Sequence, residues 1–250
     1  MKSITIVTGA SSGLGYEIAK IMAEAEASLC LVARSSERLN QVKEDWEQRF
    51  PACEIVAKSG DISDESFVKS VYSGLLQQGF CVEHLINCAG AGYFGPPENN
   101  SREGIDRAFA GSLIGLILMS SEALVAMQPE GGCIVNILST AALKGNPNES
   151  VYCAAKWGAR GFAEALKAHT KGSKTQVINV FPGGMQTPFW SEHCGMQPDV
   201  SRFLDPVEVA QEVVRLLLPR PAGSHPVHLE RNEGSSPTSF VSDITIARRE

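Results

Sequence analysis

The sequence predicts a single α/β domain: a doubly wound parallel sheet of about seven strands with helices on both faces. Three observations predict it. Short β-branched runs alternate with longer runs of helical period. The helical runs are long enough to act as right-handed crossovers between parallel strands. The first strand also enters the first helix through Thr8-Gly9-Ala10-Ser11-Ser12-Gly13-Leu14-Gly15, a turn with three glycines and two serines.

The elements follow in order. Ile4 to Val7 is a buried strand; from Leu14 the apolar residues Ile18, Ile21, Met22 and Ala25 fall at helical spacing. Leu29 to Ala33 is the second strand, and Ser35 or Ser36 caps a helix from Glu37 to Phe50 that Pro51 ends. Ile55–Ala57 and Leu85–Cys88 are strands, with a helix over Ser63–Gln78 between them. One long helix runs within Ser101–Met127, then a strand over Cys133–Leu138 and a helix over Ser150–Thr170. Thr175–Phe181 is a strand, Pro206–Leu218 a helix, and Val227–Glu230 a last strand that closes the domain near 231. The remaining stretch, 232–250, is rich in Ser, Gly and Pro at its start and reads either as a tail or as an arm on a partner subunit.

Composition narrows the function. A net charge of −6 gives no basic footprint for nucleic acid or an anionic membrane. The amino-terminal apolar run is too short for a signal segment, and Leu113–Met119 falls far below the ~20 residues that span a bilayer. Seven scattered cysteines without a C-x-x-C pair, and five histidines without ligand spacing, argue for a reducing cytoplasm and against a metal site.

The glycine turn suits a dinucleotide, because the helix behind it presents free N–H groups and a partial positive charge to a pyrophosphate. Its spacing is G-x-x-x-G-x-G, and it has no P-loop lysine. Tyr152 and Lys156 lie four apart on a helix and so share a face. An ammonium beside a phenol favours its ionised form, so the pair reads as a proton relay with the phenol pKa lowered. Ser139 follows the fifth strand, where a hydroxyl can serve a carbonyl oxygen that gains charge.

Together these residues resemble the short-chain dehydrogenase/reductase superfamily, from about residue 3 to 230. Its glycine motif is matched by Thr8 to Gly15, its acidic residue after the third strand by Asp61, followed by Ile62. Its N-N-A-G stretch appears as Asn87-Cys88-Ala89-Gly90, and its P-G-x-x-x-T segment as Pro182-Gly183-Gly184-Met185-Gln186-Thr187. The resemblance implies a Rossmann-type fold and hydride transfer between a nicotinamide and a carbonyl or alcohol carbon. It implies that Tyr152 supplies the proton, Ser139 holds the oxygen and Lys156 binds the nicotinamide ribose. Gly9, Ser11, Ser12, Gly13, Leu14 and Gly15 would hold the pyrophosphate, Asp61 and Ile62 the adenine. Asn87, Cys88, Ala89 and Gly90 would line the nucleoside path, and Pro182, Gly183 and Thr187 the carboxamide.

One position departs from the family. Its helix after the fourth strand usually carries a catalytic Asn three residues before a Gly; here Ser112 stands three before Gly115. Serine has a shorter reach and one donor instead of two. Ser112→Asn is expected to keep or raise turnover.

After the second strand, Ala33 replaces the acid common in NAD users, and Arg34 and Ser35 follow. Arginine pairs well with phosphate, so the cofactor expected is NADP (NADPH); an arginine that only stacks on adenine would suit either dinucleotide. A flap over about 185–205 carries Phe189, Trp190, Met196 and Phe203, and Tyr93, Phe94, Leu143, Met185 and Trp190 are the candidate substrate contacts. The substrate expected is a small, largely apolar carbonyl compound or alcohol. Ala155, Gly158, Ala159 and Ala163 would let helices approach closely in a homodimer or homotetramer. Two other readings share these residues: an NAD-linked alcohol dehydrogenase, and a non-catalytic dinucleotide-sensing regulator.

Overall fold

A computed structural model describes residues 1–128, 130–190, 194–217 and 243–247. Its sheet is parallel, in the order β3-β2-β1-β4-β5-β6-β7. The strands are β1 (Lys2–Thr8), β2 (Leu29–Ala33), β3 (Ile55–Ser59), β4 (Phe80–Asn87), β5 (Gly132–Ile137), β6 (Thr175–Pro182) and β7 (Asp243–Ile246). The helices are α1 (Gly13–Glu24), α2 (Ser36–Arg49), α3 (Glu65–Gln77), α4 (Arg102–Phe109), α5 (Gly115–Ala126), α6 (Ser150–His169) and α7 (Pro206–Arg215).

Strand period places the core on both faces. Leu29 and Leu31 of β2 point to the layer of α1, α2 and α7, while Cys30 and Val32 point to the layer of α3 and α5. The strand order reverses between β1 and β4, so their carboxyl ends part and open a crevice. Thr8 ties the two strand ends together. Its Oγ1 accepts from the amides of Cys88 and Ala89, both at 3.0 Å.

Three elements differ from the sequence reading. β4 begins five residues earlier than expected, because Glu83 and His84 interrupt its apolar run at the point where the β1 register shifts. The long helix is two: a π-helical turn over Ala110–Ile114 separates α4 from α5, with the Gly115 amide bonded back to Ala110 O. The seventh strand is Asp243–Ile246, inside the stretch read as a tail, whereas the strand expected at Val227–Glu230 lies outside the described residues. The run Arg102–Ala126 is long and apolar enough to cross a membrane, yet it packs Met119 and Ala123 into the core beside the sheet.

Candidate active site

The crevice at the strand reversal is a cleft of about 1430 Å³. The glycine turn forms its floor. Gly9 and Gly13 take φ of 71° and 58°, left-handed values that other residues rarely adopt. A Cβ on Gly15 would lie 2.5 Å from the Gly9 carbonyl oxygen, so α1 passes over the turn only with glycine there. Ser12 caps α1 through its backbone, with no side-chain cap bond and no acidic residue in the first turn. The helix amides therefore remain available to an anion.

The carboxyl end of β5 and the first turns of α6 form the far wall. Lys156 Nζ donates to Ile137 O at 3.1 Å, which fixes the amine behind the phenol of Tyr152, its neighbour one turn back. Ser139 Oγ accepts from the Ala141 amide at 3.1 Å and shares the cleft with Tyr152. Burial raises the Tyr152 pKa above its usual value; the Ser139 hydroxyl opposes this and Glu149 adds to it. Burial overrides the lowering expected from the Lys156 ammonium, whose nitrogen is 5.9 Å from the ring centroid. Burial also pushes Lys156 down to about 8, and Cys88 opposes that shift. The cleft thus holds a neutral phenol, the form that donates a proton.

Ser112 lies in the π-helical turn and is 1% exposed. Its hydroxyl accepts from the Ala91 amide at 3.2 Å and donates to the Ala91 carbonyl at 3.3 Å. It holds the loop after β4 at two points. A Cβ on Gly90 would lie 3.3 Å from Ser112 Oγ and 3.7 Å from Lys156 Nζ, so hydroxyl and amine flank one small space.

Most of the expected cofactor residues line this cleft: Gly9 and Ser11 to Gly15, Arg34 and Ser35, Asp61 and Ile62, Cys88 to Gly90, Pro182, Gly183 and Thr187. Among the substrate candidates, Phe94, Met185 and Trp190 line it too.

Several residues are placed otherwise. The Asn87 side chain turns into the sheet, where its Nδ2 donates to Ser120 and Asn136. Tyr93 packs on Gly104 and directs its hydroxyl at Ser101 and Asn99, so it does not line the cleft. Leu143 follows the short turn after Ser139, is 37% exposed and also lies outside the cleft. Ala155, Ala159 and Ala163 are fully buried and face the core, which leaves only Gly158 of that set on the surface.

Two features were missed. Arg38 lines the cleft beside Arg34, from the first turn of α2; its i+4 spacing from Arg34 was the available signal. Arg102 and Arg107 reach the rim from α4, with Arg102 paired to Asp106 at 2.8 Å. Phe189 and Phe203, both expected in the flap, join Phe94 and Trp190 in an aromatic wall.

The short chain dehydrogenase family model matches residues 3–197. The chain belongs to this family. Its members are oxidoreductases that act on carbonyl or alcohol groups, and the Ser139, Tyr152 and Lys156 arrangement falls within the matched region. The human 3-oxoacyl-[acyl-carrier-protein] reductase is 32% identical over 222 residues, covering 87% of this chain and 92% of the relative. An alcohol dehydrogenase from Thermococcus sibiricus superposes with a TM-score of 0.83 over 100% of both chains at 24% identity, a likeness of fold. An actinorhodin polyketide ketoreductase variant with NADPH reaches a TM-score of 0.79 at 26% identity, covering 87% of this chain and 91% of that one.

Proposed function

We propose that this short-chain dehydrogenase is an NADP(H)-dependent carbonyl reductase, running as an alcohol dehydrogenase in reverse, on a small and largely apolar substrate. One observation carries the proposal: a buried Tyr152, with Ser139 beside it and Lys156 behind it, stands in the same cleft as the glycine turn. The turn fits a dinucleotide, since its glycines leave a cradle that a Cβ would fill and the α1 amides lack a side-chain cap. Held by the glycine turn and the α1 amides, a dinucleotide would supply the hydride for the carbonyl carbon. Tyr152 gives its proton to the carbonyl oxygen, which leaves an alcohol and a phenolate. Ser139 donates to that oxygen as its charge grows and so selects its position. Lys156 stabilises the phenolate and passes a proton back to it.

Arg34 and Arg38 support NADP over NAD. Both line the adenosine end, and no ion pair among the described residues engages either. Two guanidinium groups beside the α2 amino terminus suit a ribose 2′-phosphate. The NADPH in the actinorhodin ketoreductase structure agrees with this reading. NADPH should bind at least about tenfold tighter than NADH, or about 1.4 kcal/mol, and Arg34→Asp should erase the difference in a fluorescence titration. Equal affinities in the wild type would contradict it.

Assembly and location belong to the same proposal. Ile114 of the π-helical turn, Val125 of α5 and Trp157 of α6 are 44%, 73% and 48% exposed, apolar side chains that a homodimer or homotetramer would cover. A monomeric mass by light scattering would exclude both. The seven free thiols favour the reducing cytoplasm.

A further inference from the structure

Resting on the carbonyl-reductase reading, we propose that the preferred substrate is an aryl ketone or aldehyde whose ring is held by Phe94, Trp190 and Tyr152 in the place the Phe189 ring now fills. Three aromatic rings meet beside the proton donor. Phe94 is 4% exposed, lies edge-on to Tyr152 (centroids 5.1 Å, 61°) and stacks on Trp190 (5.3 Å, 20°). The Phe189 ring closes the group, 5.7 Å from Tyr152, 6.0 Å from Phe94 and 5.2 Å from Trp190. Its planes meet theirs at 58°, 68° and 85°. At such angles the positive rim of one ring faces the negative face of another.

This socket is shaped for a ring and held by backbone contacts. Trp190 Nε1 donates to Met185 O at 3.0 Å, and the Phe94 amide donates to Cys194 O at 2.7 Å. A Cβ on Gly92 would lie 2.5 Å from Phe94 Cε2 and 2.9 Å from Phe189 Cζ, so the rings occupy space that any side chain there would take. At the rim Arg102 pairs with Asp106, and Asn146 donates to Glu149 at 2.9 Å. The socket thus offers π-faces and ring edges to its occupant, and a neutral aryl group satisfies them. A saturated ring of equal size fills the same volume without the ring–ring attraction, which favours the aryl group by about two- to tenfold per pair.

The test measures kcat/KM for NADPH-dependent reduction of acetophenone and of cyclohexyl methyl ketone in the wild type and in Trp190→Leu, Phe94→Leu and Phe189→Ala. Comparing the acetophenone-to-cyclohexyl ratio between proteins cancels the intrinsic reactivity of the two ketones. The ratio should fall about fivefold in Trp190→Leu and in Phe94→Leu. In Phe189→Ala, which vacates the socket, kcat/KM for acetophenone should rise several-fold. NADPH affinity, measured in parallel, reports that each variant is folded; Trp190, which is only partly buried, suffices if Phe94→Leu does not fold. Ketone reduction with a ratio unmoved in Trp190→Leu, or a selective loss of acetophenone reduction in Phe189→Ala, overturns the aryl socket alone. If the wild type binds NADPH but reduces no carbonyl compound in a broad panel, the reductase reading falls with it.

Discussion

Tyr152 and Lys156 titrate in opposite directions for one reason, since burial disfavours whichever form is charged. The phenol stays protonated at neutral pH, ready to donate. The amine, lowered to about 8, keeps its charge below that pH and loses it above. Carbonyl reduction needs the ammonium to stabilise the phenolate that forms. The expected kcat/KM profile is therefore level on the acid side and falls as pH rises through about 8; a profile flat to pH 10 would contradict this. Ser112 acts at the same scale. Its hydroxyl satisfies both the N–H and the C=O of Ala91, and an Asn amide has a donor and an acceptor for the same two groups. Ser112→Asn should retain turnover. Ser112→Ala should lose about 0.5–1.5 kcal/mol in urea unfolding because the part-buried Ala91 groups lose their hydroxyl partner, and its turnover should drop. Equal stability of the alanine variant and the wild type would show that the clamp is unimportant.

At the scale of elements, a row of amides crosses the sheet behind the site. Asn87, Asn136 and Asn179 are register partners on β4, β5 and β6. Asn87 donates to Asn136 at 3.0 Å, Asn136 to Asn179 at 3.1 Å, and Asn179 to Glu164 of α6 at 2.9 Å. Lys167 of the same helix pairs with Glu164 and, at 2.6 Å, with Asp243 of β7. The row fixes the relative height of the strands whose ends carry Cys88, Ser139 and Pro182. Asn136→Ala removes the middle link and strands the Asn179 carbonyl in the core, so unfolding free energy should fall by about 3 kcal/mol. A loss below about 0.5 kcal/mol would mean that the row adds little. Sequence could not reveal the row, because each asparagine lies in an apolar run and the match between them exists only once strand register is set. The π-helical turn was hidden for a similar reason. Apolar spacing across Ala110–Ile114 reads as ordinary helix, and the extra residue shows only where Gly115 must clear Ile62.

For the whole molecule, the strand reversal between β1 and β4 decides where chemistry takes place. That much was legible, because the glycine turn is local and contiguous and the alternation of strand and helix repeats along the chain. Tyr152 and Lys156 were legible too, being one helical turn apart. The rest of the site depends on what folds against it. Tyr93 turned outward to Ser101 while its neighbour Phe94 turned inward to Tyr152. Arg38 came to the cleft because α2 begins beside Arg34. The base of the flap is set by the Met185–Leu204 bridge, a contact between residues far apart in sequence. The central claim is that the Tyr152 phenol delivers the proton in an NADPH-driven carbonyl reduction. Its most direct measurement is the kcat of Tyr152→Phe against wild type, with NADPH affinity determined alongside. The account predicts a fall of about 10²- to 10⁴-fold with NADPH binding unchanged. A variant that keeps kcat within a few-fold of wild type would contradict it.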